Sequence, residues 1–245
     1  MINDITDNTD EWSGRTALLY GKERLEQLKG KRVLVAGVGG VGAYAAEMLC
    51  RAGIGNLIII DADVVSLSNI NRQLPALHST VGCSKVEVLG TRFHDINPSL
   101  NLLPLSLFLD AENIPTILQK QKPDFVVDAI DTVRCKCTLI ETCMEQHIPI
   151  VSAMGAGAKT DISRIRVDDL WNTSQCGLAK AVRTYLRRDG FHKKRLPVVF
   201  SDEPVKRDAI LVIDGERNKK STAGTVSYMT ATFGNYLAWY VLEHL

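Results

Sequence analysis

The stretch VLVAGVGGVG at 33–42 constrains the fold of this chain more than any other. An apolar, β-branched run reaches closely spaced glycines, and AYAAEMLCRAG comes directly after. That order predicts a buried strand, a tight loop and a helix stopped at Gly53. Gly37, Gly39 and Gly42 match G-x-G-x-x-G, with Gly40 inside the pattern. Such a loop brings backbone N–H groups up to a phosphate at the positive end of a helix. A second strand, NLIIIDAD, carries Asp61 and Asp63 about 20 residues on, where a carboxylate accepts hydrogen bonds from a ribose. The loop predicts a nucleotide and leaves open which one.

The rest of the chain keeps a strand–helix rhythm. TALLYGKERLEQL at 16–28 sets Leu18, Leu19, Leu25 and Leu28 at helical spacing. A helix from about Lys85 to Ile96 precedes LNLLPL, a helix near 111–120 and the strand DFVVDAI. A helix over 132–147 and the strand IPIVSAM come next. Strands alternating with long helices predict βαβ crossovers in an α/β fold: a doubly wound, mostly parallel, Rossmann-like sheet with helices on both faces. After Gly157 the rhythm changes. SRIRVDDL reads as a short strand and turn, GLAKAVRTYLRR as a basic amphipathic helix, and PVVFSDEP and AILVID as antiparallel strands. The expected organisation is one domain over residues 1–245. It comprises an N-terminal arm and helix (1–30), a nucleotide-binding core (31–157) and a C-terminal antiparallel elaboration (158–245).

Bulk properties set the class. The 245 residues suffice for one sizeable core, and a net charge of +1 means that any nucleic-acid contact needs a local patch. The polar start MINDITDNTDEW does not read as a secretory or transit peptide. Six scattered cysteines fit reduced thiols in a cytoplasm better than a disulfide framework. The stretch 224–242 has no charged side chain, yet its threonines, Ser227, Asn235 and glycines favour a buried core helix over a membrane span.

The residues after the second strand narrow the nucleotide. SNINRQ places Asn69, Asn71, Arg72 and Gln73 there, and Lys85 opens the next helix. Fixed cations stabilise the charge that shifts onto the leaving oxygens when a triphosphate is attacked at its α-phosphorus. Spacing by itself also accommodates an Arg and a Lys on a surface loop. In VVDAIDTV, Asp128 and Asp131 close another strand, where carboxylates beside phosphates suit magnesium. Asp131 would equally serve as a helix N-cap.

Together, G-x-G-G-V-G, the strand-terminal Asp, N-x-N-R-Q, the Lys beyond it and D-A-I-D resemble the ubiquitin-activating-type adenylyltransferases, the ThiF/MoeB/HesA superfamily. Segments beyond that core, among them RTALLYG, DAIDTVRCK, GAGAKTDISRIRVDDL, VVFSDEPV and MTATFG, resemble one branch, the tRNA threonylcarbamoyladenosine dehydratases. The resemblance covers residues 12–240. It implies ATP and Mg2+ as cofactors and tRNA bearing threonylcarbamoyladenosine as substrate. The implied reaction adenylates the threonyl carboxylate and then closes a ring as AMP leaves. It also implies a homodimer and raises a sulfur-relay protein as a further partner. The family pattern sets Gly37, Gly39, Gly40 and Gly42 against the nucleotide and Asp61 on the ribose. Asn69, Arg72 and Lys85 would meet phosphates, and Asp131 would hold the metal with Asp128 beside it. Arg15 matches an N-terminal Arg that reaches the triphosphate from a partner subunit, although EWSGR departs from the usual Arg-Phe opening.

Other branches activate ubiquitin-like sulfur carriers, the alternative reading. Many of these carry two C-x-x-C zinc pairs. Here Cys135, Cys137 and Cys143 share one predicted helix without such a pair, and read as core or helix-surface thiols. Cys176 stands where the dehydratase branch carries Asp-Pro, and its role is open. A nicotinamide or flavin oxidoreductase and a non-catalytic nucleotide sensor complete the alternatives. For tRNA, 183–195 concentrates Arg183, Arg187, Arg188, Lys193, Lys194 and Arg195, a phosphate-binding patch or a solvated helix face.

Overall fold

The computed structural model describes residues 11–212 and 221–245. After a short 3-10 turn at Glu11–Ser13 come α1 (Gly14–Tyr20) and α2 (Lys22–Gly30). The predicted single helix over 16–28 is therefore two. Gly21 breaks it at φ 86°, a left-handed value that disfavours side chains. The break separates the four leucines. Leu25 and Leu28 are buried, whereas Leu18 and Leu19 on α1 are exposed.

Seven strands form the main sheet: β1 (Arg32–Ala36), β2 (Asn56–Ile60), β3 (Asn101–Leu105), β4 (Phe125–Asp128), β5 (Ile150–Ala153), β6 (Ile165–Asp169) and β7 (Pro197–Ser201). Their order is β3-β2-β1-β4-β5-β7-β6. All neighbours run parallel except β6 and β7. The segment PVVFS thus joins the parallel core beside β5, and only edge strand β6 turns against it. The antiparallel elaboration expected from residue 158 onward is smaller than its sequence suggests. Outside the main sheet it keeps β8 (Ile210–Val212) paired with β9 (Ser221–Ala223). The end of the expected strand AILVID, past Val212, lies outside the described residues.

The strands bury both faces, so alternate residues enter two cores. Val33, Val35, Leu57, Ile59 and Val127 face α3 (Gly42–Ala52), α4 (Lys85–Ile96) and the C-terminal helix α8 (Ser227–His244). Leu34, Ile58, Ile60 and Val126 face α5 (Asn113–Gln121), α6 (Val133–Glu145) and α7 (Gly177–Arg188). A fully buried side chain of this size contributes about 1.5–3 kcal/mol. The apolar stretch that opens at Gly224 forms most of α8, which packs on α3. At Gly234 a Cβ would lie 2.6 Å from the Val41 carbonyl oxygen, so α8 meets α3 backbone to backbone. No described helix is long and apolar enough to cross a membrane.

This order sets β1 between β2 and β4, with chain connections leaving in opposite directions. The crevice beyond the carboxyl ends of these strands is where open parallel sheets bind ligands.

Candidate active site

The glycine loop lies in that crevice. Gly37 has φ 84°, and a Cβ there would stand 2.9 Å from the Ala129 carbonyl oxygen. At Gly42 a Cβ would lie 1.8 Å from the Gly37 carbonyl oxygen, so the turn closes only on glycine. Two strand ends anchor the loop. Gly37 N–H donates to the Ile60 carbonyl at 2.8 Å, and Val38 N–H donates to Asp61 Oδ2 at 2.8 Å. No side chain caps α3, whose N-cap is Val41. Ala43 N–H reaches the Gly39 carbonyl at 3.4 Å, and the start of the helix carries the positive end of its dipole. The built arrangement suits an anion.

Asp61 carries a second backbone bond, from Asp63 N–H to its Oδ1 at 2.9 Å. Burial pushes its carboxyl above the usual range, while Lys85 and the two N–H donors pull it back. Lys85 is buried at the start of α4. Its Nζ lies 2.7 Å from Asp63 Oδ2 and 3.9 Å from Asp61 Oδ1. The surface-loop alternative for Lys85 is therefore corrected: the ammonium is held at the second strand end.

Arg72 caps its own turn. One guanidinium nitrogen donates to the Ser68 carbonyl at 2.7 Å and to Asn71 Oδ1 at 2.9 Å. Asn71 Nδ2 in turn donates to the Thr225 carbonyl at 2.9 Å. A Cβ on Gly40 would lie 3.6 Å from Arg72 Cγ and 3.2 Å from Thr230 Cγ2. The Arg72 stem and α8 therefore both back the glycine loop. Asn69 accepts the Ser66 N–H through Oδ1 at 3.1 Å, which fixes its side chain against its own turn. Gly39 faces only Gln73, whose Oε1 is buried without a partner.

On the other side, β4 delivers the turn Asp128–Asp131. Asp131 is exposed at its end, and Thr132 occupies the N-cap of α6, so Asp131 is not that cap. Asp128 departs from the expectation of a metal ligand. It is fully buried against Lys136 at 2.6 Å, with Ser152 Oγ donating at 2.5 Å and Ile130 N–H at 3.1 Å. Both oxygens are engaged below the crevice floor. Among the described residues no group of three or more His, Cys, Asp or Glu side chains forms a metal cluster. One exposed carboxylate beside phosphate oxygens still fits magnesium, which keeps most of its waters.

Arg15 lies away from its own crevice. It is exposed on α1, next to Trp12 and Ser13, which line a cleft of about 250 Å³ with Gly53, Gly55 and Asn97 at the opposite, N-terminal end of the sheet.

The basic segment divides. Arg183 is corrected from phosphate ligand to structural tie: it donates to the Leu170 and Thr173 carbonyls and to the Thr173 hydroxyl. Arg187, Arg188, Lys193, Lys194 and Arg195 are exposed. Arg187 lies over Trp171, Arg188 over Tyr185 and Lys194 over Phe191. Arg188 also pairs with Asp189 at 2.8 Å, and Lys194 Nζ donates to the Met144 carbonyl at 3.3 Å.

The helix cysteines are core thiols. Cys135, Cys137 and Cys143 are buried, and burial pushes the Cys137 thiol up to about 12 and Cys143 further in the same direction. All six cysteines are free. Cys176 is the N-cap of α7, its Sγ accepting the Ala179 and Gly155 N–H groups at 3.4 Å each. It does at that helix start what an Asp side chain does elsewhere.

Two participants escape a reading of the sequence. Thr230 is hidden in an apolar stretch, and Lys136 in TVRCKC resembles a helix-surface charge. The only signal for Lys136 is a cation flanked by cysteines on a helix that must bury one face.

Comparison with known proteins places the fold and the family. The chain is 44% identical over 189 residues to a tRNA threonylcarbamoyladenosine dehydratase of Bacillus subtilis, spanning 77% of this chain and 74% of the relative. It is 35% identical to the Haemophilus influenzae dehydratase, across 98% of this chain and 95% of that one. The crystal structure of the Escherichia coli dehydratase TcdA with ATP superposes with a TM-score of 0.87 at 35% identity, covering 96% and 95% of the two chains. Residues 14–245 match the ThiF family model. The chain belongs to the ThiF family.

Proposed function

We infer that this chain catalyses the ATP-dependent dehydration of threonylcarbamoyladenosine in tRNA. The observation that carries the reading is likeness over nearly the whole chain, including the segments after the nucleotide core that separate dehydratases from carrier-protein activators. The crevice supports it independently, with an anion-binding loop, two placed cations and one exposed carboxylate.

In the reading proposed, the threonyl carboxylate oxygen bonds to the α-phosphorus of ATP and the bond to pyrophosphate breaks. The carbamoyl group then attacks the activated carbonyl carbon and AMP departs with the shared oxygen. The sum is loss of one water. An intramolecular attacker benefits from proximity worth several kcal/mol. Gly37, Gly39, Gly40 and Gly42 hold the phosphates, and Asp61 with Asp63 orients the ribose end. Arg72, Lys85 and the NH2 end of Asn69 meet the oxygens that gain charge. Asp131 would hold magnesium, which when bound neutralises phosphate charge.

The reading extends to a homodimer, because Arg15 cannot serve its own crevice and would enter that of a second copy. Exposed Leu18 and Leu19 on the same helix support that contact. Arg187, Arg188, Lys193, Lys194 and Arg195 would bind tRNA phosphates, which sets the enzyme in the cytoplasm with its substrate.

Pyrophosphate release tests the function. Purified protein with magnesium and ATP should release it when supplied with tRNA carrying threonylcarbamoyladenosine. Stimulation by a diglycine-tailed carrier protein instead would move the chain to the carrier-activating branch.

A further inference from the structure

The ion pair beneath the crevice floor has a geometry that stability does not require. Lys136 and Asp128 are both fully buried, their charged atoms 2.6 Å apart. The ammonium also donates to Ser152 Oγ at 3.1 Å and to the Ala153 carbonyl at 3.0 Å, so its three N–H bonds all have partners. Ser152 sits beside Asp128 in the β4–β5 register and donates to the same carboxylate oxygen. One side chain from α6 thereby ties the ends of β4 and β5.

The tie reaches the site along a short path. Asp128 Oδ1 accepts the Ile130 N–H, which fixes the turn that presents Asp131. The same turn carries Ala129, whose N–H donates to the Ala36 carbonyl at 2.8 Å and whose carbonyl oxygen backs Gly37. A hydrophobic pair of similar volume often replaces a buried ion pair without loss of stability. What such a pair lacks is a fixed direction for Asp128, and hence for the turn.

We propose that Lys136 is a positioning residue of the reaction, acting through Asp128 to hold the Asp128–Asp131 turn, and with it Asp131, at the triphosphate. The inference rests on the proposed dehydratase function. The effect falls on turnover more than on ATP binding. The glycine loop keeps its other anchors at Ile60 and Asp61, whereas Asp128 depends on Lys136 and Ser152 for its side-chain partners.

The test is the Asp128→Asn/Lys136→Met double variant of the full chain, because Lys136→Met by itself would strand a buried carboxylate. Melting temperature, ATP KM and kcat with tRNA are measured beside wild type. The expected result is a folded protein with kcat lowered about tenfold to a hundredfold, the cost of a small misplacement, and ATP KM changed less than about threefold. Adding Asp131→Ala to the double variant should bring kcat down only to the level of Asp131→Ala itself, within about threefold, because both changes act on one element. A folded double variant with kcat within about twofold of wild type would overturn the proposal, as would full additivity with Asp131→Ala. If the double variant does not fold, Ser152→Ala decides. Its kcat should drop about fivefold well below its melting temperature, and an unchanged kcat overturns the role. A wild type without ATP-dependent turnover removes the functional reading as well, whereas a fully active variant beside an active wild type removes only the role given to Lys136.

Discussion

Lys85 Nζ lies 2.7 Å from Asp63 Oδ2, with Asp61 Oδ1 at 3.9 Å, so the buried cation at the start of α4 is held between the two carboxylates that end the second strand. This arrangement parks a positive charge at the crevice before any triphosphate arrives. Lys85→Ala should lower kcat/KM for ATP by about a hundredfold or more, the scale of removing one preorganised electrostatic partner. Steady-state kinetics with tRNA check this, and a change under about threefold would remove Lys85 from the reaction.

Arg72→Ala and Asp131→Ala should leave the fold intact and abolish most turnover. Arg72 is half-buried and bonds within its own turn, and Asp131 is exposed, so neither supports the core. Losses of about two to three orders of magnitude are expected in kcat, with melting temperatures near wild type. Thermal melts paired with rate measurements separate this outcome from simple destabilisation.

Reversing charge at Arg187 and Arg188 should weaken tRNA binding and flatten its dependence on salt, because each lost phosphate contact lowers the number of counterions released. Arg183→Ala should behave differently. It removes the tie to Leu170 and Thr173 and should cost about 1–3 kcal/mol of stability without moving the salt slope. Filter binding across a salt series, with melts of each variant, distinguishes them. An unchanged slope in the Arg187/Arg188 variant would place the tRNA surface elsewhere.

Glu141, half-buried on α6, has its carboxyl pushed up to about 7, first by burial and then by Asp189 and Glu145. Its Oε1 is buried without a partner. The unfolded chain releases this proton near the ordinary value, about 4.3. The stability it contributes is whole below that pH and is lost as pH rises through about 7. Melting temperature should therefore decline from about pH 5 to pH 8. Glu141→Gln stays neutral, so it should flatten that decline and melt above wild type at pH 8. Parallel curves for the two proteins would contradict the assignment.

Much of this molecule is legible in its sequence for physical reasons. A parallel strand buried on both faces must be apolar along its length, and the runs VLVA, LIII and FVV inside the first, second and fourth strands are. Glycines that close a turn cannot be replaced, so Gly37 and Gly42 announce the crevice. The hidden features depend on contacts distant in sequence. Nothing local reveals that Asp128 turns down to Lys136 while Asp131, three residues on, stays at the surface. Nor does charge content separate Arg183, drawn in by two carbonyls, from Arg187 one turn later. The strand PVVFS reads the same whether it extends the parallel sheet or a separate hairpin, and only its neighbours decide. Gly21 is visible as a residue but not as a break, because the leucines around it continue the helical spacing.

The most direct test is chemical. Purified protein is incubated with magnesium, ATP and tRNA carrying threonylcarbamoyladenosine, and the nucleosides are then weighed by mass spectrometry. The account predicts a modified adenosine lighter by one water, formed only when ATP is present and lost in Asp131→Ala. An unchanged nucleoside mass, with ATP bound and the protein folded, would contradict it.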